Sequence, residues 1–472
     1  ITFLLGVMSC SKESFNINKN PNNATDSTVA YNVLLPSAQN STARLVARSW
    51  GWLQNYLGYW ARSGTYAPNA DEESYQITTS FQSGIWSNLY DNLYDYQAMQ
   101  IGASKAGAGF YEGIARIMKA HNFAMLVDIY GNVPYSEALK GSAVTTPKYD
   151  NGLDIYKDLL RQLDLAIDQI KNADESETGP NANILTDDVM FGTKLFPANE
   201  FLIIANEGSG FMTDFNAEVN PGYQADKGNP FYNLYVRDDA GSATSGSVYY
   251  KANAYAVGDG STDPGYYGYN GDTRRTRLYT TNNSNQYRGV PYGLPPVTEN
   301  AAATLSGIGL GLYRGVDQPQ WVLTRAESYF LQAECMNRGY LSGDPQTTLE
   351  SGITASFVDL GRTAANATTY LTNNAGYADV DYSAPAQAAD LAKGGLFTII
   401  SQKWFALNGI APFEVWSDYR RIDFSASTNH FIYGESVGYA TGPAISIYPS
   451  NTKTEIPVRL LYPQSEYLYN PA

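Results

Sequence analysis

The chain has 472 residues, of which 43% are hydrophobic, enough to bury a sizeable core. Its 31 basic and 46 acidic residues give a net charge of −15, and such a surface repels nucleic acid. Tyrosine is unusually frequent, with 38 residues against 18 Phe and 7 Trp, and it offers both an apolar ring face and a hydroxyl. The composition therefore favours a binding protein for ringed, hydroxylated ligands and excludes a nucleic-acid-binding one.

The first residues are typical of a secreted bacterial lipoprotein. Residues 1–6 are mostly apolar, and Val7-Met8-Ser9-Cys10 has a small residue directly before a cysteine, as in a lipobox. We therefore expect residues 1–9 to be the remainder of a signal peptide, Cys10 to be lipidated, and residues 10–26 to be a polar tether. No run reaches the roughly 18 apolar residues that cross a bilayer. The alternative is an ordinary N-terminal strand.

Helical periodicity follows in residues 32–48, 84–103 and 114–130. The last of these is apolar nearly all round, which predicts a helix buried among other helices, ended by Gly131. Asp128 lies in its final turn, where the helix dipole disfavours an anion, so we expect a compensating partner. Residues 153–170 form an amphipathic helix, with Asp150 as the predicted N-cap.

Residues 207–300 are rich in Gly, Asn, Ser, Asp and Tyr and predict a loop-rich region, whose length indicates function or disorder. Helical periodicity returns in residues 321–338 and 347–360, a pair with the length of a tetratricopeptide unit. Further helices are predicted at residues 397–407 and 413–421. Four side chains in these patterns are expected in the core: Trp86, Cys335, Trp404 and Trp416.

Patterns that would indicate catalysis are weak. Residues 434–438 (GESVG) match a nucleophile elbow, but both histidines, His121 and His430, precede the serine, whereas the catalytic histidine of that fold follows it. Two histidines and few cysteines do not predict a metal site, and residues 259–263 read as a solvated turn. A glycosidase needs only two suitably spaced carboxylates. It therefore stays an alternative, alongside a protein-binding scaffold.

Several segments, in the same order along the chain, resemble the SusD/RagB family of outer-membrane nutrient-binding lipoproteins, in its SusD-like branch. They are residues 7–10 (VMSC), 32–36 (NVLLP), 118–120 (MKA), 128–138 (DIYGNVPYSEA), 327–339, 404–407 (WFAL), 413–421 (FEVWSDYRR), 456–459 (IPVR) and 462–466 (YPQSE). The chain departs from the family after Gly192, where a long helix does not follow, and it ends early at Ala472. We expect an incomplete or rearranged sequence there.

The resemblance implies a mainly α fold over residues 27–472 as one domain, with tetratricopeptide-like helical hairpins, few short strands and a loop-rich ligand face. It implies a lipid-anchored protein at the outer-membrane surface that captures oligosaccharide and delivers it to a SusC-type TonB-dependent transporter. No catalytic residue, cofactor or metal is implied. RagB-type relatives handle peptides, so a peptide ligand is the further alternative.

The ligand face is predicted within residues 50–75 and 249–292. Aromatic side chains there would stack on sugar rings, and polar ones would bind hydroxyls. The predicted ligand-binding residues are Trp60, Arg62, Tyr66, Asn69, Asp71, Tyr75, Tyr267, Tyr269 and Tyr292. Asp128, Arg420 and Arg421 are expected to form ion pairs of the scaffold instead.

Overall fold

A computed structural model describes residues 30–173, 176, 184–190, 211–384, 395–421 and 445–470. Its body is mainly helical, which confirms the predicted fold class. The longer helices are α1 (Tyr31–Arg48), α4 (Gly84–Ala106), α5 (Gly109–Tyr130), α6 (Gly152–Lys171), α13 (Arg325–Asn337), α14 (Pro345–Asp359), α15 (Ala364–Asn373), α16 (Leu396–Leu407) and α17 (Pro412–Arg421). The short helices are α2 (Gly51–Tyr56), α3 (Ala70–Glu73), α7 (Ile184–Asp187), α8 (Pro230–Tyr235), α9 (Ser245–Tyr249), α10 (Ala254–Val257), α11 (Gly265–Tyr269), α12 (Arg275–Leu278) and α18 (Gln464–Tyr469).

The described strands form three small antiparallel sheets of two strands each. They are β1 (Trp60–Arg62) with β5 (Tyr250–Ala252), β2 (Val133–Pro134) with β3 (Tyr149–Asp150), and β4 (Ala217–Val219) with β6 (Gln320–Leu323). Between residues 211 and 300 every helix has six residues or fewer, so this part of the chain is loop-rich, as its composition indicates.

The long helices pack as hairpins. α5 lies against both α4 and α6, and α13 packs on α14 and α16. The central helix α5 ends where expected, because Gly131 adopts a positive φ of 84° that an L-residue rarely takes. Trp86, Trp404 and Trp416 are buried, as predicted. In the part of the chain that the structure describes, no helix is both long and apolar enough to span a bilayer.

Asp128 does have a partner, although not the expected ion pair. The hydroxyl of Tyr156 donates to its carboxylate at 2.7 Å, while Arg420 donates to its backbone carbonyl instead. Burial raises the pKa of Asp128, and the Tyr156 hydrogen bond opposes that effect. Arg421 was predicted to form an ion pair of the scaffold, and it does so with Glu334 and Asp418.

Three details of the helix predictions are wrong. Asn151, not Asp150, caps α6 by accepting from the Leu153 amide at 3.0 Å. Residues 321–323 belong to β6, because pairing with residues 217–219 overrides their local pattern, and α13 begins only after its cap Thr324. Cys335 is half-buried, so the prediction that it lies in the core is wrong.

Some predictions concern residues that the structure does not describe. These are Cys10, residues 191–210, and residues 434–438 with His430.

A buried charge network joins α13, α16 and α17. Lys403 pairs with Asp418 at 3.0 Å, and Arg421 links Asp418 to Glu334. Glu327 is also buried here, and one of its carboxylate oxygens has no hydrogen-bond partner among the residues that the structure describes. Burial raises its pKa to about 8, with Glu414 adding to the effect and Lys403 opposing it. Burial therefore favours the protonated form of Glu327.

Candidate functional site

The predicted ligand face is built on the pair of strands β1 and β5, where Arg62 lies opposite Tyr250. Trp60 on the same strand is fully buried among the rings of Phe231, Tyr235 and Tyr250, at centroid distances of 6.3, 5.1 and 5.5 Å. A ring without any exposed area has no surface to offer a sugar. Trp60 is therefore a core residue, and its predicted stacking role is wrong for this structure.

Arg62 organises the loop that follows β1. Its guanidinium forms a buried two-point ion pair with Glu73, at 2.5 and 3.1 Å. It also donates to the carbonyl oxygens of Tyr66 and Leu294, both at 2.7 Å. These bonds fix the backbone of residues 62–66 against the loop at residue 294. Arg62 is 3% exposed, so it positions the face instead of contacting a ligand.

Beneath this loop lies a buried carboxylate, Glu72. It accepts hydrogen bonds from the Asn55 amide at 2.8 Å and the Tyr292 hydroxyl at 3.2 Å. Burial raises the pKa of Glu72, and these two hydrogen bonds oppose the rise. Tyr292 and the neighbouring Tyr75 are both buried, and the Tyr75 hydroxyl accepts from the Ser446 amide at 2.9 Å. Both tyrosines therefore support the face from inside, contrary to the prediction that they contact ligand.

Tyr66, Asn69 and Asp71 do reach the surface. The Tyr66 ring packs edge to face on Tyr249, with centroids 5.3 Å apart, which joins the loop after β1 to the end of α9. Asn69 caps α3 by accepting from the Glu72 amide at 3.4 Å. Gly64 allows the loop after β1 to approach the backbone of Val297 closely, because a Cβ there would lie 2.7 Å from the Val297 carbonyl oxygen. The result is an aromatic pair beside exposed polar groups on a fixed loop.

A second aromatic pair joins Tyr269 to Tyr377, with ring centroids 6.3 Å apart. Both rings are about two-fifths exposed. The loops that carry them are fastened together by Asn270, whose amide donates to Asp379 at 2.6 Å. Tyr267, two residues earlier, is buried and donates to the Phe405 carbonyl at 2.8 Å. Its predicted stacking role is therefore wrong as well.

Tyr377 was missed by the sequence analysis because it lies more than 100 positions after Tyr269. One sequence feature could have indicated it. Tyr377 directly follows Gly376 between two helical patterns, and such a position is typical of an exposed loop tip. Among the described residues no cluster of His, Cys, Asp and Glu is arranged to hold a metal ion. The chemistry that the surface offers is ring stacking and hydrogen bonding.

The chain was compared with known families and structures. A model of the SusD-like family, described as starch-binding and associating with the outer membrane, matches residues 19–195 and 261–463. No curated protein matches the chain.

Similar solved structures include a chitin-binding SusD homolog from Flavobacterium johnsoniae, with 20% identity, a TM-score of 0.62, and 84% of this chain and 87% of that one covered. A SusD homolog from Bacteroides fragilis has 20% identity and a TM-score of 0.63 over 94% of both chains. A SusD-like protein from Bacteroides thetaiotaomicron has 20% identity and a TM-score of 0.64 over 93% of both. These structures share the fold, and because the family model matches most of the sequence, the chain belongs to the SusD/RagB family.

Proposed function

We propose that this protein is a cell-surface glycan-binding lipoprotein, anchored in the outer membrane through Cys10, that passes captured oligosaccharide to a SusC-type TonB-dependent transporter. The observation that carries the proposal is the match of most of the chain to a family described as starch-binding and associating with the outer membrane. The two aromatic pairs support it, one of them exposed and the other partly exposed, because tyrosine rings and amide or carboxylate groups together suit sugars.

In this proposal Tyr66 and Tyr269 stack on sugar rings, and Asn69 and Asp71 bind hydroxyls. The hydrogen bonds that Arg62 makes to the Tyr66 loop keep that ring in place before ligand arrives. Preorganisation of this kind lowers the entropy lost on binding. The protein holds its ligand without breaking a bond, since the proposed contacts are stacking and hydrogen bonding alone.

The test is binding of the full chain to a combined glycan and peptide array, followed by calorimetry with starch and chitin oligosaccharides. Tyr66→Ala and Tyr269→Ala should each weaken glycan binding up to about tenfold, because a lost ring contact is worth about 0.5–1.5 kcal/mol. Tyr340→Ala is the matched control, since Tyr340 is a 79% exposed tyrosine outside both pairs. Peptide binding without glycan binding would contradict the proposal, as would release of shortened sugars.

Purification of the membrane-bound protein together with its transporter tests the second half of the proposal. We expect a SusC-type partner to co-purify with the wild-type chain, and Cys10→Ala to release the protein from the membrane fraction. A Cys10→Ala protein that stays in the outer membrane would contradict lipid anchoring through this residue.

A further inference from the structure

A cavity of about 320 Å³ lies between the helices α4, α5 and α6, under the loop at residues 135–140. Three of its lining residues are basic, Arg116, Lys119 and Lys140, and none is acidic. This is unexpected in a chain that carries 46 acidic against 31 basic residues. The volume falls in the range of small-molecule sites, so the cavity combines a suitable size with a positive charge.

Arg116 is already neutralised. Its guanidinium pairs with Glu112 at 2.6 Å, and it donates to Gln169 at 3.0 Å and to Gln162. Its hydrogen bonds are therefore directed to protein groups, and its charge is balanced within α5. The positive charge that the cavity offers to a ligand must come from elsewhere.

Lys119 supplies it. Its ammonium donates to the amide oxygens of Gln97, and of Gln100 at 2.9 Å, and among the described residues it forms no ion pair. An ammonium has three hydrogens, so one donor is left for a ligand. Burial lowers the pKa of Lys119 to about 8, Arg116 adds to the effect, and Asp158 opposes it. The lysine is therefore held here in spite of an electrostatic penalty.

Part of the remaining lining is apolar. Phe123 and Leu159 are buried, whereas Leu139 is half-buried and keeps an accessible apolar surface. Asp158, the carboxylate whose charge acts on Lys119, is occupied, since it accepts from Tyr135, from Arg161 at 2.8 Å and from Gln162 at 3.2 Å. The lining thus offers an apolar contact for the carbon face of a ring, together with side-chain amides and the Lys119 ammonium.

We propose that this cavity binds a hydroxylated monocarboxylate of monosaccharide size, in other words a uronic acid. The carboxylate would pair with Lys119, the hydroxyls would bind Gln97 and Gln100, and the carbon face of the ring would lie against Leu139. Lys140 is exposed on the loop at residues 135–140, so Lys119 is the enclosed cation of the lining, and a single enclosed positive charge favours a carboxylate over a phosphate dianion. None of these residues belongs to the loop-rich face, so the inference does not depend on the proposed function.

Calorimetry of the full chain with D-glucuronate at pH 7 tests the proposal. We expect glucuronate to bind at least tenfold more tightly than D-glucose or acetate. The Lys119→Met substitution should weaken glucuronate binding at least tenfold. Lys157→Met is the matched control and should bind as the wild type does, because Lys157 is an exposed lysine of α6, paired with Asp154 outside the cavity.

The wild-type chain provides a second measurement that needs no variant. Between pH 7 and pH 10 Lys119 loses its charge, so glucuronate affinity should fall at least tenfold. Two neighbouring groups keep their protonation state over this range, because burial and Asp158 raise the pKa of Tyr135 above it and hydrogen bonds from Tyr135 and Arg161 lower the pKa of Asp158. Lys140, the other lysine of the lining, is exposed on the loop at residues 135–140. Equal binding of glucose or acetate, full binding by Lys119→Met, no binding at millimolar glucuronate, or unchanged affinity at pH 10 would each overturn the proposal.

Discussion

Replacing Lys119 with methionine should make the folded chain more stable near pH 7. Burial lowers the pKa of this lysine from 10.5 to about 8. Each tenfold change in a proton-binding constant is worth about 1.4 kcal/mol, so the charged lysine costs the fold roughly 3 kcal/mol. Because the side chain is half-buried and keeps some contact with water, we expect a measured gain of about 2 kcal/mol.

The pH dependence gives the sharper test. Below pH 8 the lysine is charged in both the folded and the unfolded chain, so the variant shows its full advantage. Between pH 8 and 10.5 the folded chain releases the proton while the unfolded chain keeps it, so the advantage shrinks to zero. Urea unfolding of both proteins at pH 7, 9 and 11 measures this. A variant less stable at pH 7, or an advantage that persists at pH 11, would refute the reasoning.

Three further substitutions test the buried ion pair of Arg62, the close backbone approach at Gly64 and the buried carboxyl group of Glu327. Arg62→Met leaves Glu73 buried and unpaired and should lower the free energy of unfolding by about 3–5 kcal/mol, whereas the double variant with Glu73→Met should recover most of that loss in the same urea titration. Gly64→Ala should displace the loop after β1 and lower Tm, because its Cβ would meet the Val297 carbonyl oxygen at 2.7 Å; an unchanged Tm would contradict this close approach. Glu327→Gln should have the same free energy of unfolding as the wild type near pH 4 and a higher one near pH 9. The reason is the raised pKa of Glu327, because of which the wild-type chain loses stability as the pH rises from 4.5 through 8.

The helical frame could be predicted from local sequence alone. The central helix and its end at Gly131 follow from periodicity over a few turns and from one glycine, as does the burial of Trp404. These features depend on residues within one element. The strand at residues 320–323 could not be predicted in this way, because its conformation depends on a partner about 100 positions earlier in the chain.

The candidate site shows the same division. Trp60 and Tyr267 lie in stretches rich in Gly, Asn and Tyr, which local composition makes typical of exposed loops. Trp60 is nevertheless covered by Phe231 and Tyr235, and Tyr267 by Trp404, all more than 100 positions away. Only the folded chain decides which aromatic rings cover one another and which remain at the surface.

The sequence by itself determined the family, the helical frame and the loop-rich character of residues 207–300, because order of motifs, periodicity and composition are local properties. The tertiary structure decided that Arg62 supports the loop from inside and that Tyr269 meets Tyr377. It also decided that Lys119 lines a cavity where no described acidic residue pairs with it. Burial and charge pairing depend on which distant segments meet, and no local pattern specifies that.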